Sequence, residues 1–339
     1  MTPPDPTRDT RPEARPKRYP APEFPPRRIA AFAKTPPAIF PPILGLLGLA
    51  IALQLALGAL GLDRGLGDLL AGLAVALWAF AALAYGMKAM QRPAVVIEDL
   101  RVLPGRSGLA AMTMGGMAAA TLVAAYAQGP ALALMVVALV GHAVLAVLLI
   151  RLLLTLPPVA REVNPTWHLS FVGFIVAAPT AVALGMEQVA TVIFWLTLPV
   201  AVLNWGLSAL QFIRSVPPPP LRPLLAIHVA PAALLGSVAG LLGMVELAGA
   251  FLAIGTALTV ALVASWRWLA GTGITPLWGA FTFPLAALAT TMLRAGDGWL
   301  WPGLGLTAIG LVAIPAILWW VLKRWPGGRL AAVTNAAEA

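Results

Sequence analysis

The chain has no cysteine among its 339 residues, so disulfides and thiolate metal sites are excluded and redox chemistry says nothing about compartment. Charge is scarce too: Asp, Glu, Lys and Arg make up 10% of the residues, against about a quarter in average proteins. Acid is scarcer than base, with 13 Asp and Glu against 22 Lys and Arg. There are three histidines, His142, His168 and His228, at no spacing that suits a metal. No Walker loop, dinucleotide fingerprint or nucleophile elbow with its partners occurs. These gaps point to a non-enzyme with no catalytic residues, no metal and no cofactor. The first 35 residues are polar and proline-rich, which is not a cleavable signal peptide.

What is abundant is apolar: 60% of the chain. From Ala38 onward, apolar segments alternate with short polar breaks at about 38–60, 69–87, 109–127, 131–154, 169–184, 189–213, 224–243, 247–265, 274–293 and 299–322. Most approach the ~20 residues a helix needs to cross a bilayer. Runs such as Val144–Leu154 lack the alternation of a membrane strand. The expected fold is an all-α membrane protein of ten spans, with the bilayer as its first partner. Residues 1–35, with eight basic residues, read as a disordered proline-rich arm, residues 36–325 as the membrane domain and residues 326–339 as a tail.

With the N-terminus inside, 20 of the 22 Lys and Arg fall on cytoplasmic segments, leaving Arg64 and Arg294 outside. That asymmetry places both termini in the cytoplasm and explains the +9 net charge without nucleic acid. Tryptophans at 266, 268, 299, 301, 319 and 320 fall near the expected interfaces.

Pro179, Pro231 and Pro284 lie in the fifth, seventh and ninth spans, 52 and 53 residues apart, and Pro41–Pro42 open the first. The third carries Gly115–Gly116, another weak point for a helix. Irregular odd spans, each followed by an even one, suggest a helical hairpin used five times, with the odd helices inside, where protein or a cavity satisfies freed backbone groups. Pro42, Gly115, Gly116, Pro179, Pro231 and Pro284 are therefore the candidate kinks and lining positions. The spans themselves hold no Asp or Glu, which disfavours cation coupling and suits an anion pathway. In Leu277–Thr291, Phe283 directly precedes Pro284, whose ring crowds the carbonyl of Ala280. Phe281 lies about 200° around the helix and faces elsewhere. Phe283 either closes a pathway or is a packed aromatic beside an ordinary kink.

At Ile39–Ala50 (IFPPILGLLGLA), Asn164–Phe174 (NPTWHLSFVGF) and Leu277–Thr290 (LWGAFTFPLAALAT) the chain resembles the tellurite-resistance/dicarboxylate transporter family over residues 36–325. That family includes bacterial tellurite-resistance proteins, fungal malate permeases and the slow anion channels of plant guard cells. The resemblance implies five hairpins in a ring around a central pore, kinked odd helices inside, and a homotrimer in a bacterial inner membrane. It also implies a pore blocked midway by a phenylalanine on the ninth helix, here Phe283, with Gly115–Gly116 standing in for the missing proline. The expected function is a passive anion channel or uniporter for small inorganic or organic anions. The alternatives are a C4-dicarboxylate carrier or tellurite-type oxyanion exporter of the same fold, and a membrane scaffold or receptor.

Overall fold

The computed structural model describes residues 30–157 and 161–339. Most of the expected N-terminal arm, residues 1–29, lies outside the described residues. Among those described, regular structure is all helical. Nine helices are long and apolar enough to span a membrane: α1 (Pro37–Ala59), α2 (Gly65–Gln91), α3 (Leu103–Ala124), α4 (Gln128–Thr155), α6 (Glu187–Arg214), α7 (Pro219–Leu241), α8 (Val245–Ala264), α9 (Pro276–Ala295) and α10 (Asp297–Leu322). A shorter apolar segment, His168–Ala183, takes the place of α5.

Apart from α9, the spans start one to six residues earlier than hydropathy suggests, because first turns tolerate polar residues. Asp68, Glu187 and Glu246 sit in the first turns of α2, α6 and α8, where a carboxylate complements unpaired backbone N–H groups. Pro104 and Pro219 open α3 and α7, where no N–H is needed. The acids thus stay at the span ends.

The odd spans form a closed ring: α1 packs on α3, α3 on α5, α5 on α7, α7 on α9 and α9 on α1. Each even span packs on the odd one before it, giving five hairpins. Burial follows this division. In the apolar windows of α1, α3, α7 and α9, 67–78% of residues are buried, against 17–28% in the even spans. Small residues let the inner backbones approach. A Cβ at Gly45 would strike Thr282 of α9, and one at Gly236 would lie 3.3 Å from the backbone nitrogen of Leu252 in α8. The outer spans present Leu73, Leu83, Val137, Leu196, Val263 and Val312, all exposed, to what must be lipid.

The irregularity of the odd spans is a change of helix type. In α1, 3-10 turn Pro37–Ile39 gives way to α-helix Phe40–Ala59, with Pro41 and Pro42 in its first turn. Segment α5 passes from π (His168–Val172) through 3-10 (Gly173–Ala177) to α (Ala178–Ala183), with Pro179 second in the α part. In α7 the 3-10 stretch Pro219–His228 precedes an α-helix whose third residue is Pro231. These prolines start helices rather than bend them. Only Pro284 lies deeper, sixth in α-helix Gly279–Ala295, where its ring removes the bond to the Ala280 carbonyl. In α3 the helix runs unbroken through Gly115 and Gly116, which make room for Trp78 of α2. A Cβ there would come within 2.6 and 2.9 Å of its ring.

Both ends of this ten-span body meet on one face. Short helix Ala94–Arg101, between α2 and α3, carries the buried Asp99. Its carboxylate accepts from Tyr85 Oη and Lys88 Nζ, each at 2.9 Å, and from the Ala337 backbone N–H at 2.8 Å. Lys88 Nζ also donates to the Thr35 carbonyl at 3.0 Å. A buried ion pair gains little net stability after desolvation, so its clearest effect is positional: it ties residues 31–35 and the C-terminal segment to α2. Within that segment, short helix Arg329–Val333 buries Leu330 and Ala331. We call this the basic face and the opposite one, with Arg64 and Arg294, the far face.

Candidate functional site

Among the described residues, two small cavities lie on the axis of the ring, each walled by all five odd spans. The one toward the basic face, about 20 Å³, is lined by Pro41 (α1), Ser107 (α3), Leu169 (α5), Ile227 (α7) and Ala280 (α9), among others. The one toward the far face, about 40 Å³, is lined by Gly48 (α1), Thr121 (α3), Pro179 (α5), Ser237 (α7) and Phe283 with Arg294 (α9). A cavity needs about 10–15 Å³ to hold one water, so these hold one to a few molecules each. On α1, α5 and α7 the linings are separated by seven residues, roughly 10 Å of helix.

Phe283 stands at the boundary. Ala280, one turn before it, lines the basic-side cavity, whereas Phe283 lines the far-side one. Its side chain is buried, and its ring edge occupies space that only a glycine at position 48 leaves open: a Cβ there would lie 3.2 Å from Cδ2. Phe281 faces the other way, in a cluster with Trp266 and Trp278 whose ring centroids are 5.5–5.6 Å apart.

The other sequence-selected positions separate. Pro179 lines the far-side cavity. Pro42 packs against Gly279, where an added Cβ would lie 3.0 Å from its Cδ. Gly115 and Gly116 meet the outer helices α2 and α4, and Pro284 lines a crevice on the outer side of α9. Pro231 is buried in α7 and belongs to neither cavity lining.

Arg294 was expected only as a flanking charge. It forms part of the far-side cavity wall, and its Nη1 donates to Ser237 Oγ. Among the described residues no carboxylate lies within ion-pair distance of it. Thr121 Oγ1 pairs with Thr180 Oγ1 at 2.8 Å, and Thr290 also lines the cavity. This chamber therefore offers a guanidinium and hydroxyls, with no acid. The sequence held a signal for it: positions 283, 287, 290 and 294 follow the 4-3-4 spacing of one helix face.

The remaining polar residues of the core join helices. His142 Nδ1 meets Thr113 Oγ1 at 2.7 Å across α4 and α3. Gln54 of α1 donates to Asp68 of α2 at 2.9 Å. His168 Nε2 and His228 Nδ1 lie 3.0 Å apart across α5 and α7, a pairing that residue spacing did not suggest. Among the described residues, no three His, Asp or Glu gather as a metal would require.

Ten helical spans around an axis that has no acid among the described residues, with the Arg294 guanidinium in one axial chamber, define a multi-pass membrane protein suited to anions. The chain belongs to the SLAC1 family of voltage-dependent anion channels, whose model matches residues 34–323 and so takes in all ten spans. A search of curated proteins returns no match. Membership makes anion transport the general function and sets the chain in a family of channels and transporters rather than of enzymes.

Proposed function

We propose that this protein is a passive anion channel whose conduit runs along the axis of α1, α3, α5, α7 and α9 and is closed by the Phe283 ring. The observation that carries this reading is the pair of axial cavities, each walled by all five inner spans, with Phe283 at their boundary. An apolar ring in a narrow passage excludes water and the ions that water carries. Opening requires Phe283 to change rotamer or α9 to move, and the missing bond at Ala280 gives α9 a place to yield. Selectivity arises from an acid-free wall and the Arg294 guanidinium rather than from a tight binding site. The strong basic bias supports a cytoplasmic basic face. Family resemblance supports a homotrimer, each chain with its own conduit, in a bacterial inner membrane.

The test is flux from liposomes containing the purified protein, comparing chloride, nitrate, formate and malate with potassium. A channel passes several small anions, driven by voltage and without saturation, and excludes potassium. Saturable flux that requires a counter-ion would reject the channel in favour of a carrier for C4-dicarboxylates or tellurite-type oxyanions. Flux of potassium equal to that of chloride would reject both.

A further inference from the structure

Behind α9, on the side away from the axis, a crevice of about 450 Å³ opens between α8 and α10. Its floor is the outer face of α9, with Phe281, Pro284, Leu285 and Leu288, and its walls are almost wholly apolar. Along α10 it runs from Trp320, near the basic face, to Ile309. Eleven residues of helix span roughly 16 Å, about half of a ~30 Å hydrocarbon core. The crevice is thus about one leaflet deep and lies in the half of the body nearest the basic face.

The mouth has chemistry of its own. Trp266, Trp278 and Trp320 line it, as interfacial tryptophans do. Arg267 adjoins Trp266 and is exposed. The Arg324 guanidinium lies 3.4 Å from the Trp320 ring centroid, with Nη1 bonded to the Trp320 carbonyl at 2.6 Å. On the lining residue Trp278, Nε1 is enclosed without an acceptor among the described residues.

We propose that this crevice binds one anionic glycerophospholipid from the leaflet at the basic face. One acyl chain lies along α9, and the phosphate sits between Arg267 and Arg324. An ester oxygen at the mouth is the acceptor that Trp278 Nε1 lacks. The bound chain backs the helix whose opposite side carries Phe283, Ala287, Thr290 and Arg294. Binding itself does not depend on what the axial passage conducts.

The experiment uses the full chain in vesicles of equal phosphatidylglycerol and phosphatidylcholine, followed by gentle extraction and native mass spectrometry. One phosphatidylglycerol retained per chain, in preference to phosphatidylcholine, is expected. Ala313→Trp, which fills the crevice from α10, should lose it. The Arg267→Gln/Arg324→Gln pair leaves the crevice open and should abolish the preference between headgroups. Equal retention of both lipids by the unaltered protein, or undiminished phosphatidylglycerol in either folded variant, overturns the assignment. Because the chain has no cysteine, Ala316→Cys also reports a protein occupant: an oxidant-induced dimer through that position would show a second copy in the crevice and overturn the proposal.

Discussion

Replacing Phe283 with alanine is expected to raise anion flux by roughly tenfold or more, the change that removing about 1.4 kcal/mol of barrier produces. The ring is 6% exposed and fits against Gly48, so shortening it extends the far-side chamber toward the basic-side one. A constriction lined by apolar groups holds back ions chiefly by holding back water, and the passage becomes wettable once the ring is gone. Emptying a packed aromatic site costs about 3–5 kcal/mol of stability, so flux is compared only among variants that elute as folded protein. Phe283→Leu, which keeps most of the apolar volume, should fall between the two. Liposome flux of the folded alanine variant no greater than that of the unaltered protein would reject Phe283 as the closing group.

Arg294→Glu should have the largest effect on selectivity. At about 5 Å, a unit charge and an anion interact by roughly 3 kcal/mol at an effective dielectric constant near 20. Arg294 is half-buried, so solvent screening reduces that figure. Neutralisation in Arg294→Gln should then lower anion flux about tenfold, and reversal about a hundredfold, at low ionic strength. The Phe283→Ala background is the place to measure this, because there the ring no longer limits flux. Potassium should begin to pass in the glutamate variant, while Arg294→Lys should stay close to the parent. Unchanged anion flux and continued exclusion of potassium in Arg294→Glu would show that this cation does not shape the pathway.

Spans and hairpins could be read from the sequence because lipid imposes a strict rule on backbone and charge. Which spans lie inside could not be read from hydropathy. Helices α1 and α10 have the same mean hydropathy, 2.1, yet 78% of one window is buried and 28% of the other. Lipid is as apolar as a protein interior, so the two environments select the same residues. Small residues and prolines carried that information instead. Gly115–Gly116 looked like a weak point because its reason, the Trp78 ring, comes from another helix. Lys88 counted as a topogenic charge, although it is buried against Asp99, a residue in the polar break after α2. Arg294 was placed on the outer flank by its position at the end of a span, while its 4-3-4 register with Phe283 set it on the axis.

An axial passage interrupted at Phe283 is the central feature of this channel, and the cysteine-free chain permits a direct test of it. Thr290→Cys reports the far-side chamber and Ser107→Cys the basic-side one. A small anionic thiol reagent applied at the far face should modify Thr290→Cys whichever residue stands at 283. It should reach Ser107→Cys only when Phe283 is alanine. Equal labelling of Ser107→Cys with the ring in place, or its protection even without the ring, would contradict the proposed conduit.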